Sequence, residues 1–240
     1  MATRAAATTG AVRADLFWQR MAIGLALFIL FGFLQFSLRG IVDPIHAPFW
    51  VHLHGLAMIG WLGLLIVQPR LVARDNLALH RRIGRIGAGL AIVMVGLALF
   101  TGLAAIATHR QPPFFSPPYF LVLNIAEAST FGAMVAWAVR RRRATDWHRR
   151  LMIGATIILL GPALGRILPL PLMVGWSDLP MGIGQLVAVA IVARYDRRTL
   201  GRVHPATWAT ALVVVAVRVT VPLLAMTPPA TALAARLAGG

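Results

Sequence analysis

Four ionisable side chains stand inside apolar stretches of this chain, where a charge is costly and marks a functional site by default. They are Glu127, the only glutamate in the protein, with Arg218, Arg166 and His54. At a rise of 1.5 Å per residue, Glu127 sits about 13 Å from the N-terminal end of its apolar run, and Arg218 about 12 Å from the C-terminal end of its own. Equal depth and opposite charge predict an ion pair between them. Asn124, Glu127 and Thr130 recur at three-residue steps and are expected to form a polar stripe. His54 and Gln185 each lie about 9 Å into their runs. The chemistry this suggests is a polar pocket open to the outer side of a membrane. Glu127, Arg218, Arg166, His54, Asn124 and Gln185 would there bind a small-molecule ligand, either a small anion or a proton-coupled solute. The opposing reading is a static pair that fixes how two helices pack, since buried ion pairs often add specificity rather than stability.

A second set comprises His80, His148 and His204, each beside an arginine in a short polar connection. Three imidazoles from three loops are weak candidates for a metal site. Their spacing matches no compact metal motif, and the neighbouring arginines repel a cation, so contact with lipid phosphate and helix starts is the preferred reading, with Asp146 as an N-cap and Pro205 opening a helix. Haem b held by histidines of two helices is a minority alternative. His54 has no obvious partner at its depth, and His46 and His109 fall in outer loops. His52 lies about 200° around the helix from His54, so the two do not share a metal.

Other chemistries are excluded by composition. The chain has no cysteine, hence no disulfide, iron–sulfur cluster or cysteine nucleophile. All 23 basic residues are arginine, so there is no lysine for a Schiff base. No Gly-x-Ser-x-Gly, His-Glu-x-x-His or phosphate-binding glycine loop occurs. Whether the protein is an enzyme is left open by its sequence.

The elements that position these residues are membrane spans. Of 240 residues, 59% are hydrophobic and only 12% charged, with a mean hydropathy of +0.78, and the apolar residues come in blocks. The net charge of +16 belongs to loops between those blocks, so it points to anionic lipid headgroups rather than to nucleic acid. Seven spans are expected, at about 21–38, 48–68, 83–108, 118–139, 149–168, 179–193 and 206–226. Residues 1–20 form a cytoplasmic tail, residues 21–227 the transmembrane domain and residues 228–240 a short outer tail. The run 21–38 is too long for a signal peptide, and the stretch after it lacks a small-residue cleavage site. Gly161-Pro162 inside the fifth span predicts a kink with a close small-residue contact. The N-terminal tail and the 2–3, 4–5 and 6–7 loops hold three, five, six and four arginines, 18 of the 23. That places the N-terminus in the cytoplasm and the C-terminus outside. The fold class is all-α, a polytopic bundle of seven helices in a bacterial inner membrane.

Recurring short motifs run along these spans: His54-Gly55, Gln68-Pro69, Leu79-His80-Arg81-Arg82-Ile83-Gly84, Asp146-Trp147-His148-Arg149-Arg150, Gly161-Pro162-Ala163-Leu164-Gly165-Arg166 and Arg202-Val203-His204-Pro205. In this pattern the chain resembles a family of uncharacterised bacterial multi-pass membrane proteins, from about Trp50 to Thr227. The resemblance implies a membrane protein and brings no catalytic assignment. Three functions therefore stand: ligand binding or transport in the outer pocket, a haem b or metal-dependent redox protein, and a membrane assembly or scaffold subunit. The oligomeric state is not encoded in any feature of the sequence.

Overall fold

The computed structural model describes residues 2–173 and 175–239, with side chains from Leu16 onward; the side chains of Arg4 and Arg13 lie outside that set. Nine α-helices occur among the described residues, with no strand. They are α1 (Ala2–Leu38), α2 (Phe49–Ala73), α3 (Leu77–Ala107), α4 (Pro117–Arg140), α5 (Thr145–Ile158), α6 (Leu160–Ile167), α7 (Asp178–Leu200), α8 (Pro205–Ala225) and α9 (Pro228–Leu237). A single 3₁₀ turn, Leu170–Leu172, lies between α6 and α7.

Among the described residues, six helices are long and apolar enough to cross a membrane: Leu16–Leu38 of α1, then α2, α3, α4, α8, and α5 with α6 taken together. These are the marks of a multi-pass membrane protein. Helix α7 has the length but carries Asp178, Gln185, Arg194 and Asp196, which lower its hydropathy. Two segments expected as tails are helical. Helix α1 runs back through the Ala-rich stretch before Met21, as alanine's helix propensity favours. Helix α9 docks on α3 and α4, burying Ala234 against Ile106 and Leu121.

The helices form a ring around one central strut. Neighbours pack in the order α1, α2, α3, α4, α8, α7, and the ring closes where Phe17 of α1 stacks on Tyr195 of α7 at 3.8 Å. Inside stands α5–α6, 72% buried along its most apolar window, against 22–39% for the other five spans. Its small residues allow that position. A Cβ added to Gly154 would meet Thr210 of α8 at 2.4 Å, and one added to Gly32 of α1 would meet Ala163 of α6 at 2.9 Å. Such close approach is how helices associate where water offers no hydrophobic drive.

The strut is broken at Leu159, as Gly161-Pro162 leads one to expect. Proline has no N–H to offer the carbonyl four residues back and its ring crowds that carbonyl, which here is Ile158. In an apolar medium the freed group must find another donor. It does: Gln185 of α7 donates from Nε2 to the carbonyls of Ile157 and Ile158, at 3.1 and 3.0 Å.

Candidate functional site

Arg218 and Glu127 meet in the bundle, with Nη2 donating to Oε1 at 2.6 Å. The pair is possible because α4 and α8 are ring neighbours and because Gly161 of the strut leaves room for it. A Cβ on Gly161 would lie 2.1 Å from Glu127 Oε1 and 2.6 Å from Arg218 Nη2. Gly182 of α7 similarly accommodates the arginine stem, with Cγ at 3.3 Å from an added Cβ. Both charged residues are buried.

The guanidinium has two further acceptors. Nε donates to Gln185 Oε1 at 3.0 Å, so this one amide holds the strut's carbonyls with its nitrogen and Arg218 with its oxygen. Nη1 reaches Asp178 Oδ1 at 3.5 Å. Asp178 opens α7 and is reached from the other side by the Tyr119 hydroxyl, which donates to Oδ2 at 2.8 Å. Two carboxylates, Glu127 and Asp178, thus converge on one guanidinium. With both acids ionised the cluster carries one net negative charge, and one proton neutralises it.

A second buried cluster lies at the arginine-rich end. Arg150 of α5 and Asp196 of α7 are both fully buried, with Nη2 and Nε donating to Oδ1 at 2.5 and 2.9 Å. Asp196 Oδ2 accepts from the Thr207 hydroxyl at 2.6 Å and from the backbone N–H of His204 at 3.1 Å. The remaining Arg150 nitrogen donates to the carbonyl of Asp146 at 2.9 Å. His204 caps α8: Nδ1 accepts from the N–H of Ala206 at 3.1 Å. That fixes the proton on Nε2, which faces Asp146 Oδ2 at 3.0 Å. This cluster is stoichiometric, one acid to one arginine in its buried core.

The other sequence-nominated residues go elsewhere. Arg166 turns to α1, its guanidinium 3.9 Å from the Phe33 ring centre and donating to the carbonyl of Pro162 at 2.8 Å. His54 lies in electrostatic range of Arg166, and its Nδ1 is buried without a hydrogen-bond partner. Asn124 faces α3, where a Cβ on Gly102 would touch its amide at 2.3 Å. The expected stripe fails for a geometric reason: three residues turn a helix by about 300°, so each step rotates the polar position by about 60°. On α2, Trp61 donates to Thr156 of the strut at 3.3 Å. His52 is exposed.

The three histidines do not assemble into a metal centre. Among the described residues no group of three or more His, Cys, Asp or Glu is gathered for a metal ion, and both ring nitrogens of His204 are already used. His148 places Nδ1 at 2.8 Å from the carbonyl of Ala138, and His80 Nδ1 is buried without a hydrogen-bond partner. Asp146 is the second residue of α5 rather than its N-cap, whereas Pro205 does open α8. Beyond the bundle, His46 bonds the exposed Asp43 side chain at 2.5 Å and holds its carboxyl below the usual range. No family model, curated protein or solved structure matches this chain.

Proposed function

We propose that this chain is a seven-span protein of the bacterial cytoplasmic membrane that takes up a proton at the Glu127–Asp178 pair and couples it to a small solute. Several features support seven spans. Helix α7, at 23 residues, extends about 34 Å, enough for a bilayer core of about 30 Å. Its polar Gln185 and Asp196 are turned into the bundle, away from lipid. The arginine asymmetry then puts the N-terminus and the second cluster on the cytoplasmic side, and Asp178 and Tyr119 toward the outside.

One observation carries the functional reading: two carboxylates share one arginine inside the bundle. An anion entering there would meet a guanidinium already matched twice over, so the charge balance favours a proton-coupled solute over a small anion. Asp178, with 17% of its side chain exposed, gives the route from the surface, and Arg218 bridges it to Glu127.

Infrared difference spectra of the reconstituted protein, between about pH 5 and about pH 8, test this. The expected result is a protonated-carboxyl band in the wild type that disappears in Glu127→Gln or Asp178→Asn. If no carboxyl changes its protonation over that interval, the cluster is a fixed structural pair and the proposal fails.

A further inference from the structure

A groove of about 550 Å³ runs between α7 and α8 on the outer surface of the ring. Its α7 wall is made by Leu186, Ala190 and Ala193, continued by Arg194, Arg197 and Arg198. These positions recur at three- and four-residue steps, so they form one stripe along the helix. The apolar part and the arginines are therefore stacked end to end, about 16 Å from Leu186 to Arg197. Across the groove, Trp208 of α8 is 55% exposed beside the arginines. None of these three arginines has an acid partner among the described residues. The one acid on their own stretch of helix, Asp196, is turned inward to Arg150.

We infer that this groove is a specific seat for an anionic phospholipid, with an acyl chain against the apolar wall and the phosphate on Arg194, Arg197 and Arg198. Unpaired charge at one end, a chain-width apolar channel at the other and a tryptophan at headgroup level are the three parts such a ligand needs. A second groove of about 550 Å³ between α3 and α4 has a single arginine, Arg140, at its rim and lacks the cluster. The seat also touches the interior. Thr207 lines the groove and donates its hydroxyl to Asp196, so a bound lipid lies one residue from the buried Arg150–Asp196 pair.

The test uses the full chain in neutral detergent, with thermal unfolding and native mass spectrometry read against added phosphatidylglycerol or phosphatidylcholine of identical chains. Phosphatidylglycerol is expected to bind and raise Tm, and phosphatidylcholine to do neither. Replacing Arg194, Arg197 and Arg198 together by Gln should weaken phosphatidylglycerol binding on the order of 100-fold, three charges contributing at the membrane surface. A control replacing Arg141, Arg142 and Arg143 by Gln should leave it nearly unchanged. Should the first triple variant fail to fold, Ala190→Trp keeps every charge and fills the apolar wall, and is expected to remove the Tm gain. Equal loss in both triple variants would reduce the effect to general surface charge and overturn the seat. So would an undiminished Tm gain in Ala190→Trp, or the same gain from inorganic phosphate alone. The infrared test of the carboxylate pair is independent of all these outcomes.

Discussion

The two arginines buried among the described residues have opposite kinds of surroundings. Arg150 is matched to one acid, and that acid is saturated by Thr207 and a backbone N–H. Arg218 is shared between two acids, one of them reaching the surface. The matched cluster is sealed from water, whereas the acid-rich cluster has a member that reaches the surface. The first joins α5, α7 and α8; under the function proposed above, the second is the part that works.

That contrast can be broken by mutation, beginning with the sealed cluster. Asp196→Ala leaves Arg150 buried without its counter-charge and strands Thr207 and the His204 N–H. It should cost about 3–5 kcal/mol, the range for breaking one side of a buried pair, seen as a large fall in Tm. Gly161→Ala should cost about 1–3 kcal/mol by overpacking, because the added Cβ occupies the place of Glu127 Oε1. Glu127→Gln should cost less than Asp196→Ala, about 1–2 kcal/mol, since Arg218 keeps Asp178 and Gln185 as acceptors. If Glu127→Gln proves the more damaging of the two, the roles given to the two clusters are reversed. The smallest effect is expected from His204→Ala, about 1 kcal/mol for a lost helix cap. Its partner Asp146 is 51% exposed, so water replaces that half of the interaction.

Much of the site could be read before any coordinates, and the failures have physical causes. Depth along a helix is a one-dimensional quantity that residue number supplies, and it was enough to single out Glu127 and Arg218. Azimuth is not, because it depends on which neighbour each face meets; Asn124, joined to Glu127 by its three-residue step, and Arg166, joined to the pair by its place in an apolar run, point to α3 and α1 instead. Hydropathy ends the sixth span at Ala193, before the arginines, and so leaves Asp196 in a loop, whereas α7 continues to Leu200. The signal was present: Gln185 and Asp196 are eleven residues apart, about three turns, and so share a face. Asp178 falls just ahead of the sixth expected span, yet it starts a helix at the same end of the bundle as Tyr119, its hydrogen-bond partner. The kink at Gly161-Pro162 followed from covalent structure alone, while the side chain that repairs it did not.

That repair has a consequence for how the protein can move. The bend of the central strut and the seat of the Arg218 guanidinium are held by opposite ends of the same carboxamide. Gln185 is planar, so neither end can shift without turning the other. Straightening the strut would drag on the arginine, and pulling the arginine away would unclip the backbone. The two are thus joined through a single side chain, Gln185.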